Sequence, residues 1–284
     1  MAVSRETIES AFNQRATTYD HNSWHVRYAE RLVELAAPTA GMRILDAATG
    51  TGLAAIAAAR AAGPTAHVLG VDIAEGMLDR ARQSVTSLGL ANIDLIKSDA
   101  AALPDLDTGS FDLVLCSAGL LYLPIRTALR EWRRLLKPGA LVAFSTIREG
   151  FPAAARLFRE HARHYGLALT DPATPLGTPS RCRQQLHDAG FIPTEVVTET
   201  IRFSRTDLEY AWQAHVHGAY HDAIAALSAA QVATFRDEYT STLADLLNTN
   251  EDDVLIAEVT YAFGRAGRHE TDAQRRPQLT EPER

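Results

Sequence analysis

Apolar and polar positions along this chain fall into alternating blocks of strand and helix length through its first half. Apolar runs at 44–45, 67–73, 93–97, 111–117 and 140–147 read as strands. The run at 111–117 is almost continuously apolar, as a strand covered on both faces should be. Between these runs, 53–62 is nearly all alanine, the best helix former. Met77, Ala81, Val85 and Leu88 recur mostly four residues apart and stop at Gly89, and a helix around 129–136 ends at the turn Lys137-Pro138-Gly139. Strand alternating with helix predicts an α/β fold with a doubly wound, mostly parallel sheet.

The flanks are helical. Residues 4–37 predict helices, with Ser4 as a cap and Ile8 and Phe12 on one face, interrupted by a polar turn from Phe12 to Asp20. After 147, a His- and Arg-rich helix (153–165), a Pro/Gly loop (166–179) and a helix (180–189) precede a strand (194–203). Helical sequence (206–247) and a last strand (253–264) follow. The expected organisation is an N-terminal helical lid (1–37), a core (38–147), and the rest of the sheet with helical cap insertions (148–264). A tail poor in apolar residues (265–284) is expected to be disordered.

Chemistry concentrates at Asp46-Ala47-Ala48-Thr49-Gly50-Thr51-Gly52, where a strand meets a tight loop and a helix. Gly50 to Ala55 fits the G-x-G-x-x-A dinucleotide fingerprint, with Asp72 at a suitable interval for a ribose. Asp46 opposes that reading, because a carboxylate there would face a pyrophosphate; an ammonium or sulfonium would be attracted instead. In these residues the chain resembles the class I S-adenosylmethionine (SAM) methyltransferases, whose first motif is an acid followed by three glycines at alternate positions. Ala48 replaces the first glycine. The resemblance implies a Rossmann-like, seven-stranded sheet ending in an antiparallel hairpin, here interrupted by a helical insertion, and SAM as cofactor with its demethylated form, SAH, as product.

Within that resemblance, Asp46, Ala48, Gly50 and Gly52 belong to the loop at the methionine end. Asp72 suits the ribose hydroxyls, Ile73 and Met77 would flank the adenine, and Asp99 with Ala100 would meet its amino group. Three acids at successive strand ends carry more weight than any one alone. Ser117 opens the loop that lies beside the transferred methyl in relatives. Tyr19-Asp20 matches the lid of ubiquinone/menaquinone-type methyltransferases, which places Tyr19 near the methionine end. No Asn/Asp-Pro-Pro-aromatic tetrapeptide follows the fourth strand, which argues for a small-molecule acceptor, methylated at oxygen or carbon in quinone or secondary metabolism.

The 284 residues carry a formal charge of −7, the wrong sign for a protein that neutralises phosphates, so nucleic acid is not expected as a partner. No run approaches a membrane span, the N-terminus lacks a signal peptide's apolar core, and the two cysteines have no metal or redox spacing. The expected setting is the cytoplasm, with no membrane partner, and a homodimer is compatible with these numbers. Histidine is the natural general base near neutral pH. Candidates are His215 and His217 in the cap and His21, beside His25, in the lid. His217 and His221 have metal-like spacing but no evident third ligand, so no metal is expected. Tyr122, Trp212 and His221 are expected to touch the substrate. A non-methylating protein of this fold, a cyclase or regulatory SAM-binding subunit, is the alternative the motifs leave open, with a nicotinamide oxidoreductase behind it.

Overall fold

The computed structural model describes residues 4–21, 23–216 and 220–267. Seven strands form one sheet: β1 (Arg43–Ala47), β2 (His67–Asp72), β3 (Ile93–Lys97), β4 (Phe111–Ser117), β5 (Leu136–Ile147), β6 (Phe191–Arg202) and β7 (Ile256–Ala266). Their order is β3-β2-β1-β4-β5-β7-β6, with β1 to β5 parallel and β7 antiparallel to both β5 and β6. The order reverses between β1 and β4, and it is at such a switch point, beyond the strands' carboxyl ends, that a crevice opens. The expected Lys137-Pro138-Gly139 turn lies within the span of β5, as an irregularity in its pairing with β4; Gly139 takes φ +79° there. The last strand runs on to Ala266, past the residue 265 where the tail was expected to begin.

Helices α1 (Arg5–Arg15) and α2 (Ser23–Ala36) precede the sheet. Ser4 caps α1 through the Thr7 amide, as its position predicts. Helix α3 (Leu53–Ala62) buries Ala54, Ala55, Ala58, Ala59 and Ala62, whose small side chains let it lie close against α2 and the sheet. Helix α4 (Glu75–Ser87) follows β2, and α5 (Ile125–Leu135) buries Trp132 and Leu135 on the other face of the sheet. Trp132 donates its indole N–H to the Ala100 carbonyl at 2.8 Å, so this large side chain leaves no buried donor unpaired.

The second half adds α6 (Ala153–Ala162) and α7 (Pro179–Asp188), then α8 (Arg205–Glu209), α9 (Ala211–Val216), α10 (His221–Ala225) and α11 (Ala229–Thr249) between β6 and β7. Of these, α6 and α9 to α11 build a separate core of Phe158, Trp212, Tyr220, Phe235, Tyr239 and Leu243. Capping boxes start α8 at Ser204 and α11 at Ser228, so two cap helices carry their own start signals. This second core sits over the carboxyl end of the sheet and walls the cavity described next.

Candidate active site

The loop after β1 is held by short-range hydrogen bonds. The Thr49 hydroxyl donates to Asp46 Oδ2 at 2.6 Å, and the Thr49 amide reaches the Val71 carbonyl at 2.9 Å. Asp46 is fully buried, and its Oδ1 has no hydrogen-bond partner among the described residues. Leaving such an atom unpaired costs about 1–3 kcal/mol. Burial raises the Asp46 pKa to about 7, against the Thr49 hydrogen bond that lowers it. Asp46 therefore lies beneath the loop, and none of the adjoining cavities is lined by it.

Ala48 sits where the motif has its first glycine, and it pays for that place with φ +56°, a left-handed conformation costing an alanine about 1–2 kcal/mol. Opposite it, a Cβ on Gly119 would stand 2.7 Å from the Ala48 Cβ. The methyl at 48 thus demands the bare backbone at 119. Gly50 has φ +56° and nothing within 4 Å of where its Cβ would be, so the loop is open to a ligand there. Gly52 differs from the expected role at the cofactor. It begins α3 with φ +84°, and its Cβ would lie 3.1 Å from the Ala81 Cβ, so its glycine serves the packing of α3 on α4.

The cleft at the switch point is lined by Ile8 and Phe12 of α1, by Tyr19, and by Ala48, Gly50, Asp72, Ile73, Met77, Ala100 and Ser117. Asp72 accepts the Gly50 amide at 2.8 Å and the Ala74 amide at 2.9 Å, which fixes its carboxylate at the cleft wall; burial nevertheless raises its pKa. Ser117 Oγ is buried and unpartnered, and it faces both this cleft and a recess behind Gly50. Asp99 does not line the cleft. Its Oδ1 accepts the Ala101 amide, and its Oδ2 pairs with the Arg5 guanidinium at 3.3 Å. An open loop at Gly50, an orphaned hydroxyl at Ser117 and an anchored acid at Asp72 are what a nucleoside bearing an amino-acid tail requires.

A second cavity of about 180 Å³ opens beside the cleft, lined largely by apolar and aromatic side chains including Trp24, Tyr28, Tyr122, Phe151 and Phe203. Tyr19 lines the cleft, this cavity and the recess behind Gly50, so it stands at their joint. The His25 ring stacks on Tyr19 at 4.1 Å, and its Nδ1 lies 3.1 Å from the Tyr19 carbonyl. A carbonyl only accepts, so Nδ1 carries the proton and Nε2 keeps its lone pair. Burial, with Arg15 beside it, lowers the His25 pKa to about 3, and burial raises that of Tyr19 to about 12. Near neutral pH the joint therefore holds a neutral imidazole and an intact phenol. Arg15 lies over the rings of Phe12 (5.5 Å) and Tyr19 (5.3 Å), lines the cavity, and forms no ion pair among the described residues.

The lid is tied down next to this joint. The Thr51 hydroxyl donates to Asp20 Oδ1 at 2.6 Å, and the Gly76 amide donates to Asn13 Oδ1 at 2.8 Å. The tyrosine and acid of the Tyr19-Asp20 pair thus divide the labour, one facing the cavities and the other fastening the lid to the loop.

The structure gathers Tyr19, Ala48, Gly50, Asp72, Ile73, Met77, Ala100, Ser117 and Tyr122 around the cleft. His215 lines the second cavity. Trp212 does not; it packs among Phe158, Phe235 and Tyr239 in the cap's own core, because the short helix α9 presents it to α6 and α11. His221 lines neither cavity and pairs instead with its neighbour Asp222 at 3.1 Å on the exposed side of α10. His217 lies outside the described residues, and of His21 only the backbone, in a single 3₁₀ turn, is described. Arg15, Arg159 and Asp171 went unselected in the sequence. Nothing in their spacing sets them apart from surface charges, and only the folding of α1 and the cap around the sheet brings them to one cavity.

A family profile described as a methyltransferase domain matches residues 44–139. Aklanonic acid methyltransferase DauC from Streptomyces sp. (strain C5) is 35% identical over 145 residues, covering 50% of this chain and 66% of that protein. A demethylmenaquinone methyltransferase from Listeria monocytogenes is 34% identical over 170 residues, covering 57% of this chain and 71% of that protein. Among solved structures, the [4+2]-cyclase SpnF superposes with a TM-score of 0.55 at 20% identity, over 84% of this chain and 81% of that one. At that identity the likeness speaks for the fold alone. With the cleft's geometry and these relatives together, the chain belongs to the class I SAM-dependent methyltransferases, in their small-molecule branch, and SAM is its cofactor.

Proposed function

We propose that the protein methylates a flat, apolar small molecule with an acidic O–H or C–H group, in quinone or secondary metabolism. The observation that carries this reading is the position of Tyr19, whose side chain borders the cofactor cleft and the aromatic cavity at once. An acceptor in that cavity would be shielded from water by the lid and the cap. The two relatives are named for demethylmenaquinone and aklanonic acid, which supports an acceptor of this class.

In this reading Gly50 and Ser117 hold the methionine end, and the Asp46 carboxylate beneath the loop supplies the charge that favours an ammonium. Asp72 takes the ribose hydroxyls, Ile73 and Met77 flank the adenine, and Ala100 meets its edge. Asp99 would reach the amino group by giving up its pair with the largely exposed Arg5, a contact of little strength in water. SAM supplies an electrophilic methyl group on a sulfonium centre. The chain's part is alignment, exclusion of water and removal of a proton. Burial and Arg15 make His25 a weak base in the free protein. Its Nε2 therefore accepts that proton only with the acceptor bound, when the forming anion offsets the Arg15 charge and favours the imidazolium as the acceptor oxygen or carbon takes up the methyl. His25 replaces His21 and His217 as the favoured base, because its ring borders both the acceptor cavity and the recess.

The charge of −7 supports a protein that works apart from nucleic acid. Among the described residues no helix is long and apolar enough to cross a membrane. A cytoplasmic setting and a homodimer complete the reading.

The test is titration with SAM and SAH, followed by product mass. Binding of both, with a gain of one methyl group on an aromatic hydroxy acceptor, supports it. Binding without methyl gain across an acceptor panel would favour the non-methylating alternative.

A further inference from the structure

We propose that the cap wall of the acceptor cavity is a second recognition point, where the His215 imidazole hydrogen-bonds a neutral carbonyl or hydroxyl carried by the acceptor away from its reacting group. This rests on the reading of the aromatic cavity as the acceptor site.

Polar side chains on the cap wall of the cavity include Arg159, Asp171, His215 and Tyr220. Three of them satisfy one another. Arg159 donates to Asp171 Oδ2 at 2.8 Å and to the Tyr220 hydroxyl at 3.3 Å, and that hydroxyl donates onward to the Thr170 carbonyl at 3.2 Å. Asp171 also accepts the Gly150 and Ala173 amides, each at 3.0 Å. His215 alone stands apart: its Nε2 is buried with no partner among the described residues. Buried polar atoms in folded proteins are almost always paired, so an unpaired one on a side chain that lines a cavity points to a ligand atom as its partner.

The surroundings set the kind of atom. Burial, and the Arg159 charge nearby, keep the imidazole neutral. Arg159 is itself balanced by Asp171 at 2.8 Å, so the wall offers no net positive charge for a carboxylate. A neutral imidazole nitrogen serves a carbonyl when protonated and a hydroxyl when not. The Tyr220 ring, 6.3 Å from His215 and also on the cavity wall, offers a flat surface suited to an aromatic ketone or phenol, while Phe158, buried behind the wall at 4.7 Å, backs the imidazole. The acceptor would thus be gripped at two ends, by Tyr19, His25 and Arg15 at the reacting group and by His215 at a distal polar group.

The probes are 6-hydroxy-1,4-naphthoquinone and 2-naphthol, which share a two-ring skeleton and a hydroxyl protonated in both at pH 6, where binding is measured, but differ in the quinone carbonyls. Their binding is measured at equilibrium on SAH-saturated protein, so no turnover is needed. Wild type is expected to favour the quinone. His215→Leu is expected to weaken the quinone on the order of tenfold, the effect of one buried hydrogen bond, while 2-naphthol stays within about twofold. His215→Asn, which retains a donor and an acceptor, is expected to recover part of the loss. Equal weakening of both probes would assign His215 to packing and overturn the inference, as would an unchanged quinone affinity or a wild type that does not favour the quinone. If SAH binds normally in those cases, the inference fails and the methyltransferase reading stands. If SAH itself does not bind, both fall together.

Discussion

The cofactor cleft and the helical cap each bury polar groups, but they pair them over very different lengths of chain. In the cleft each acid has a partner within three residues, Asp46 in Thr49, Asp72 in Ala74 and Asp99 in Ala101, and Asp72 and Asp99 add the Gly50 amide and the Arg5 guanidinium from farther along the chain. In the cap, Arg159 reaches Tyr220 and the Tyr239 hydroxyl reaches the Ala154 carbonyl, across 61 and 85 residues. The cleft is a set of turns whose acids are fixed by neighbouring amides, so its shape survives as long as the strands end where they do. The cap is held by long-range side-chain packing, and its polar wall exists only when that packing is complete.

The sharpest way to break this division is to damage the cap core alone. Trp212→Ala should destabilise the protein by about 3–5 kcal/mol in denaturant unfolding, as removal of a buried tryptophan does. SAH affinity below the transition should change by no more than a few-fold. Loss of SAH binding with the cap would show that the halves are not independent. The converse is Asp72→Ala, which removes the proposed ribose ligand and the anchor of the Gly50 amide. SAH affinity by calorimetry should fall on the order of a hundredfold, from two charge-assisted hydrogen bonds, while the cap's near-ultraviolet aromatic signal stays unchanged.

A smaller effect tests the Ala48 departure from the family motif. Gly119→Ala should cost about 1–3 kcal/mol of stability through overlap with the Ala48 methyl. Ala48→Gly should restore most of it in the double variant, giving a clear coupling term in the cycle. Additive losses would show that the two positions do not meet.

The last expected difference is in pH dependence, where cleft and cap should have opposite slopes. Asp46 in the folded state titrates at about 7, above its unfolded value, so the native chain holds a proton the unfolded chain has lost between about pH 4 and 7. Its contribution to stability is therefore present at low pH and disappears as pH rises through 7. His215 is held near 3, below its unfolded value, so its contribution is present above about pH 6.5 and disappears as pH falls. Between pH 5 and 8 the stability of Asp46→Asn should rise more than that of wild type, and that of His215→Leu should rise less, each by about 2 kcal/mol. Parallel curves for all three proteins would remove both groups from the pH response.

Legibility followed the same division. Gly50, Asp72, Ile73 and Ser117 are legible in the sequence because each lies at or just beyond a strand end that the apolar run already marks, and Met77 because it follows β2 by one turn of α4. Asp99 was found as a strand-end acid, but its pairing with Arg5, 94 residues earlier, was not, because nothing local says where α1 will lie. Trp212 was taken for a substrate contact since an aromatic in an insertion looks the same whether it faces a cavity or a core. Only the docking of α9 on α6 and α11 separates the two. His25 was one of several histidines in the sequence, and it stands out only when its ring is seen stacked on Tyr19 with one nitrogen tied to a carbonyl.

The sequence by itself determined the α/β alternation, the position of the Gly50 loop and the acids that end β1 and β2, because strand periodicity and turn chemistry act over a few residues. Tertiary structure alone decided which histidines reach a cavity, which charges are buried, and that Tyr19 stands where the cleft and the aromatic cavity meet. Those outcomes depend on how distant helices pack, and an apolar face carries no label naming the face that will cover it.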